Sequence, residues 1–272
     1  MTRPAGFAPI AQATLVRVMA ALRERNLPMN VDQVFTILWK TLLANDRFCA
    51  SLEESEVPTF KNLQLSRKER LLLAVIDVMQ ANELLIAPRL MLGPRSAELL
   101  RSVAESPAPS HFFMLHSGFA YMVQAFAALG RRCAVISSWS SLDLTLARSR
   151  LSSKDVEVIP NDLGCLLRIH KAVNQGLIST NCIDFSDDTL CFRHVSPILP
   201  DFALRCGHAM HFARAGVNDD GTVGLQLMRH EGSDAIEATK AFIRFSNGIP
   251  DQQRMLSVGV MKRLPAEVTD PG

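Results

Sequence analysis

The chain carries almost no net charge: 29 basic residues stand against 27 acidic ones in 272, a formal +2. Divided at residue 105, it has 13 basic and 11 acidic residues before and 16 of each after. With no basic half or tail, binding to nucleic acid through bulk charge is not expected. Paired cysteines are lacking too. Cys49, Cys133, Cys165, Cys182, Cys191 and Cys206 are scattered with no CxxC among them, which reads as reduced thiols in a cytoplasmic protein. The opening MTRPAGFAPIAQ has no signal-peptide layout. No stretch reads as a transmembrane segment; the nearest, FFMLHSGFAYMVQAFAALG, is interrupted by His116, Ser117, Gly118 and Gln124. The absence of GxSxG, P-loop and GxGxxG motifs disfavours the common hydrolase and nucleotide-binding readings.

What is present is core-forming material, 48% of the chain, in two textures. Residues 1–105 read as a helical region packed on the rest. Leu15, Val18, Met19 and Leu22 share one helical face. Asn30 with Gln33 and Ser66 with Glu69 have capping-box spacing ahead of apolar helices. The amphipathic segment 10–25 suits packing against the domain, and peripheral contact with a membrane surface is its other use. Pro94 opens a helix through Glu105, and Pro107 and Pro109 break the chain.

From 106 to 272 the pattern alternates strand and helix: FFMLH, a helix to Gly130, CAVISS, a short helix in LDLTLARSR, VEVIP, a helix stopped by Gly176, then ISTNCIDF and CFRHVSP. Asn218-Asp219-Asp220-Gly221 reads as a hairpin turn, and a helix from Asp234 closes the series. This alternation predicts an α/β fold, a mainly parallel sheet flanked by helices, with the helical N-terminal region in front of it.

Ligands of an open α/β sheet bind at the carboxyl ends of its strands. Two polar positions are predicted there: His116 with Ser117 after FFMLH, and Asp184, Ser186, Asp187 and Asp188 after ISTNCIDF. A histidine at a strand-to-helix turn suits a general base, and the helix start beside it would offer N–H groups to an oxyanion. The same position also suits a hydrogen-bonded turn histidine. Cys206-Gly-His208-Ala-Met-His211 carries zinc-type donors, but residues 208 and 211 of a strand point to opposite faces, so no metal site is expected. His170 and His230 read as surface residues.

The order of these pieces from about residue 110 to 255 resembles the lysophospholipid acyltransferase-like superfamily, most of all the bacterial lipid A late acyltransferases. There a strand ends in a histidine followed five positions later by an acid. A block close to Asn-Pro-Leu-Leu-Asp ending in Arg-Gly-Arg comes later; SSLDLTLARSR stands in its place, with Leu142-Asp143 and Arg148-Ser149-Arg150. LLRIHKAVNQG and ISTNCIDFSDD match the family's helix, glycine and strand running into an Asp-rich turn. HAMHFARAGVNDDGTVGLQLM matches its later strand pair, and Pro250-Asp251-Gln252 echoes its closing Pro-Glu-Gln.

The resemblance implies transfer of an acyl group from a coenzyme A or acyl-carrier-protein thioester to a hydroxyl or amine of a small-molecule acceptor, with no tightly bound cofactor. His116 would be the base, Ser117 would lie beside the substrate, and Arg148 and Arg150 would lie near the oxyanion or phosphate. Asp184 and Asp187 would form the Asp-rich turn, read more as structure than as chemistry. The departure is Tyr121, which stands where the family has its acid. A phenol can hold the imidazole tautomer but stabilises imidazolium poorly. Three readings follow: a catalytically degenerate binding protein, a relative doing hydrolysis or rearrangement, or an acyltransferase whose carboxylate arrives from elsewhere.

Overall fold

The computed structural model describes residues 7–25, 30–55, 65–137, 151–186, 192–247 and 257–258. Four helices open the chain: α1 (Ala8–Glu24), α2 (Val31–Leu43), α3 (Asp46–Glu53) and α4 (Arg67–Gln80). Their starts follow local chemistry. Asn30 caps α2 by accepting from the Asp32 N–H at 2.9 Å, a simpler bond than the expected box with Gln33. Ser66 and Glu69 form the full capping box of α4: the Glu69 N–H donates to Ser66 Oγ, and the Ser66 N–H to the Glu69 carboxylate at 2.7 Å.

The remainder is α/β. A seven-stranded sheet has the order β1-β9-β8-β2-β5-β3-β4, formed by β1 (Leu90–Leu92), β2 (Ser110–Met114), β3 (Cys133–Ile136), β4 (Val156–Ile159), β5 (Ile178–Cys182), β8 (Ala209–Val217) and β9 (Val223–His230). Every neighbouring pair is parallel except the hairpin β8–β9. A second sheet joins β6 (Asp184–Ser186), β7 (Phe192–Val195) and β10 (Ser257–Val258). The helices between are α5 (Pro94–Glu105), α6 (Phe119–Ala127), α7 (Cys165–Asn174), α8 (Ile198–Arg205) and α9 (Ala235–Ser246).

β2 lies between two parallel neighbours and is buried along its whole length. That explains the apolar run Phe112–Leu115 at its carboxyl end, since both faces are covered by helices. Phe112 and Met114 face one core, shared with Leu15, Leu38, Leu72 and Phe126. Phe113 faces a second, with Phe212 and Phe242.

The first core runs from the N-terminal helices into the sheet, so the two textures share one interior. Ahead of residue 105, Leu90–Leu92 already form a sheet strand on β9, where an all-helical stretch was expected. Three residues flanked by Pro88 and Gly93 are too short to show a strand period. At the hairpin turn Gly221 has φ +82°, and a Cβ there would meet Trp39 at 2.9 Å and Phe35 at 3.0 Å. The Trp39 indole N–H donates to the Asp219 carbonyl at 2.8 Å, tying α2 to that turn.

Among the described residues no helix is long and apolar enough to cross a membrane, and each described cysteine is free.

Candidate functional site

β2 and β5 are adjacent and parallel, with Met114 opposite Cys182. Two residues further along each chain, that register sets His116 opposite Asp184. Asp184 Oδ1 accepts the His116 backbone N–H at 2.9 Å and lies 2.8 Å from His116 Nδ1. One carboxylate oxygen therefore fixes both where the chain turns and how the imidazole is rotated.

The two partners differ in exposure. The Asp184 side chain is 5% exposed and the His116 side chain 39%. A carboxylate held on Nδ1 selects the tautomer in which Nε2 carries the basic lone pair, and it stabilises the imidazolium formed once that lone pair takes a proton. The pair sits at the carboxyl ends of two central parallel strands, the usual ligand side of such a sheet.

The turn itself departs from expectation. His116–Gly118 is a single 3-10 turn ahead of α6. Two of its amides are engaged: the His116 N–H donates to Asp184, and the Gly118 N–H to the Leu115 carbonyl at 2.9 Å. These two are not the oxyanion donors anticipated at this helix start. Ser117 follows His116 in the turn and is half-buried. Tyr121 is buried on α6 in the first core. Arg148, Arg150 and Asp187, with the expected helix around 142–150 and the Pro250–Gln252 echo, lie outside the described residues.

Cys182 was not singled out in the sequence. Its thiol and the ligand atoms of His116 and Asp184 all lie within 4.8 Å of one another. The signal was the i, i+2 spacing of Cys182 and Asp184 at a strand end, which turns both the same way. Burial, and after it the Asp184 charge, push the Cys182 thiol well above its ordinary range, so the nearby sulfur is a thiol and not a ready nucleophile.

A cleft of about 810 Å³ opens between the start of α4 and the β8–β9 hairpin, with Arg67, Lys68, Arg214, Gly216, Asn218 and Gln226 in its wall. The dyad does not line it. Acid–base chemistry is decided by the orientation of the groups and not by the volume beside them, which favours the His116–Asp184 pair over the cleft.

A second polar chain crosses the sheet from the carboxyl end of β3 to the amino end of β2. Asn181 Oδ1 accepts the Ile136 N–H at 2.7 Å, and Asn181 Nδ2 donates to Ser179 Oγ at 2.7 Å. Ser179 Oγ lies 2.8 Å from His111 Nδ1, and His111 Nε2 lies 2.9 Å from His208 Nδ1. Burial, with the neighbouring imidazoles behind it, pulls His111 down to about 3, so this ring is neutral. His208, just ahead of β8, and His211 on it do point to opposite faces of the sheet: His208 meets His111, while His211 stacks on Phe112 with ring centroids 4.6 Å apart. Arg131 donates to the carbonyls of Ala104 and Gly176 and so ties the end of α5 to the turn after α7.

No protein-family model and no curated protein sequence matches this chain.

Proposed function

We propose that the chain is an acyltransferase-like enzyme of a biosynthetic pathway. It takes an acyl group from a coenzyme A or acyl-carrier-protein thioester and passes it to a hydroxyl or amine, with His116 as general base. The observation that carries this reading is the His116–Asp184 pair. The family resemblance asks for an acid behind the histidine, and the fifth position offers Tyr121 instead. Asp184 supplies that carboxylate from the neighbouring strand, 68 residues further along. The reading as a degenerate binding protein, founded on the missing acid, loses its main motive.

In the proposed reaction His116 Nε2 removes the proton of the acceptor O–H or N–H as that atom attacks the thioester carbonyl carbon. The tetrahedral intermediate collapses with cleavage of the C–S bond, and the imidazolium returns the proton to the leaving thiolate. Asp184 stabilises the imidazolium between these steps. Cys182, held as a thiol, takes no covalent part.

The test is incubation with a panel of acyl thioesters, following free thiol release and product mass. His116→Ala is expected to abolish release by the wild-type protein. Release that persists undiminished in His116→Ala would remove His116 from the mechanism. Free acid with no acylated acceptor would replace transfer by hydrolysis.

A further inference from the structure

At the amino end of β2, about five residues and some 17 Å of strand from His116, three metal-binding side chains converge from separate elements. His170 comes from the middle of α7. Cys206 and His208 flank Gly207 in the turn between α8 and β8. Gly207 has φ +67°, a left-handed turn that glycine adopts without strain. The ligand atoms of the three all lie within 4.8 Å of one another. We propose that His170, Cys206 and His208 bind a zinc-class transition-metal ion that clasps α7 to the α8–β8 turn.

Ring geometry supports convergence on a common centre. His111 and His208, joined edge to edge by their hydrogen bond, have centroids 5.1 Å apart and planes 15° apart. His208 and His170 show the same 5.1 Å spacing with planes 7° apart, yet no hydrogen bond joins these two rings. Two imidazoles bonded to one zinc at about 2.0–2.1 Å and a tetrahedral angle bring their centroids to about 5 Å.

The support behind the ligands is equally specific. His208 Nδ1 is engaged by the buried ring of His111, leaving Nε2 as its coordinating nitrogen. His111 is in turn held by Ser179, and Ser179 by Asn181. Metal-bound histidines ordinarily have the second ring nitrogen fixed in this way. On the His170 side, Asn174 Nδ2 donates to the His170 carbonyl at 2.8 Å and lies 3.3 Å from Nδ1 and 3.2 Å from Nε2, so it rests against the ring and leaves either nitrogen free to coordinate. His170 and Cys206 are half-buried and His208 is buried, so the site opens toward solvent on one side. One thiolate with two imidazoles is a borderline donor set that suits zinc and excludes calcium and magnesium.

The experiment is titration of chelator-treated, folded full-length protein with Co²⁺ and Zn²⁺, read by absorbance and by thermal unfolding. Wild type is expected to take up one ion per chain, to show a sulfur-to-cobalt charge-transfer band, and to unfold at higher temperature with zinc. Cys206→Ser should lose the band. His170→Ala, on a half-buried helix position that folding tolerates, should bind at least about tenfold more weakly. Four results would overturn the proposal. They are no stoichiometric uptake by folded wild type, a band that survives Cys206→Ser, a band removed by Cys182→Ser instead, or unchanged affinity in His170→Ala.

Discussion

His211 gives the structure a measurable sensitivity to acid. The residue is 2% exposed, stacks on Phe112, and has no hydrogen-bond partner at either ring nitrogen among the described residues. Burial, and secondarily the positive Arg229 opposite it on β9, pull its pKa down to about 4. An unfolded chain titrates the same ring near 6.5. Below 6.5 the unfolded state therefore binds the proton that the folded state refuses, and stability falls as pH drops from about 6.5 toward 4.

At pH 5 that gap of about 1.5 pH units costs about 2 kcal/mol, against almost nothing at pH 7.5. His211→Leu keeps the side-chain volume roughly constant and removes both orphaned nitrogens. Relief of an unsatisfied buried polar group contributes about 1–3 kcal/mol, and loss of the ring stacking takes back about 0.5–1.5 kcal/mol. The variant should thus be more stable by on the order of 1 kcal/mol at pH 7.5, and by about 2 kcal/mol more than that at pH 5. Urea unfolding followed by circular dichroism at the two pH values measures both differences. A wild-type-to-variant difference that is the same at pH 5 and pH 7.5 would refute the claim that the fold holds this ring neutral.

Three further outcomes are expected. Asp184→Asn keeps a hydrogen-bonding group beside His116 but removes the carboxylate charge, so under the proposed function thioester turnover should fall by about 10²–10⁴-fold while the circular dichroism spectrum is unchanged. Gly221→Ala forces a β-carbon against Trp39 and Phe35 at a positive φ and should cost more than the roughly 1 kcal/mol of an ordinary strained glycine replacement, read as a lower urea midpoint. Ser66→Ala removes half of the α4 capping box and should cost about 1 kcal/mol, a drop of about 2–4 °C in Tm for a domain of this size.

The alternating α/β order was legible because a parallel sheet covered on both faces needs continuous apolar strands, and each crossover needs a helix with its own stops. Phe112–Leu115 followed by a turn histidine is such a case, as are Gly130 and Gly176, both at positive φ just past helix ends. β1 was not legible, since a three-residue edge strand carries no periodicity. α8 was missed because Pro200 lies inside its first turn, where proline is tolerated but reads as a break.

His116 could be read from its place at a strand end, and Asp184 from the polar stretch at the end of ISTNCIDF, although the structure makes it the first residue of β6 and not part of a turn. Their partnership could not. β3 and β4 intervene in the chain between β2 and β5, yet lie beyond β5 in the sheet, and only that strand order sets Met114 against Cys182 and hence His116 against Asp184. The same holds for His170, which looks like one polar residue on an amphipathic helix until α7 packs beside the turn that carries Cys206 and His208. Local chemistry is written in neighbours along the chain, so the sequence by itself determined the elements, their caps and the residue types at the strand ends. Which strand ends meet depends on how the sheet is ordered, and that is decided by burial of whole faces at once, so the tertiary structure alone gave His116 its acid.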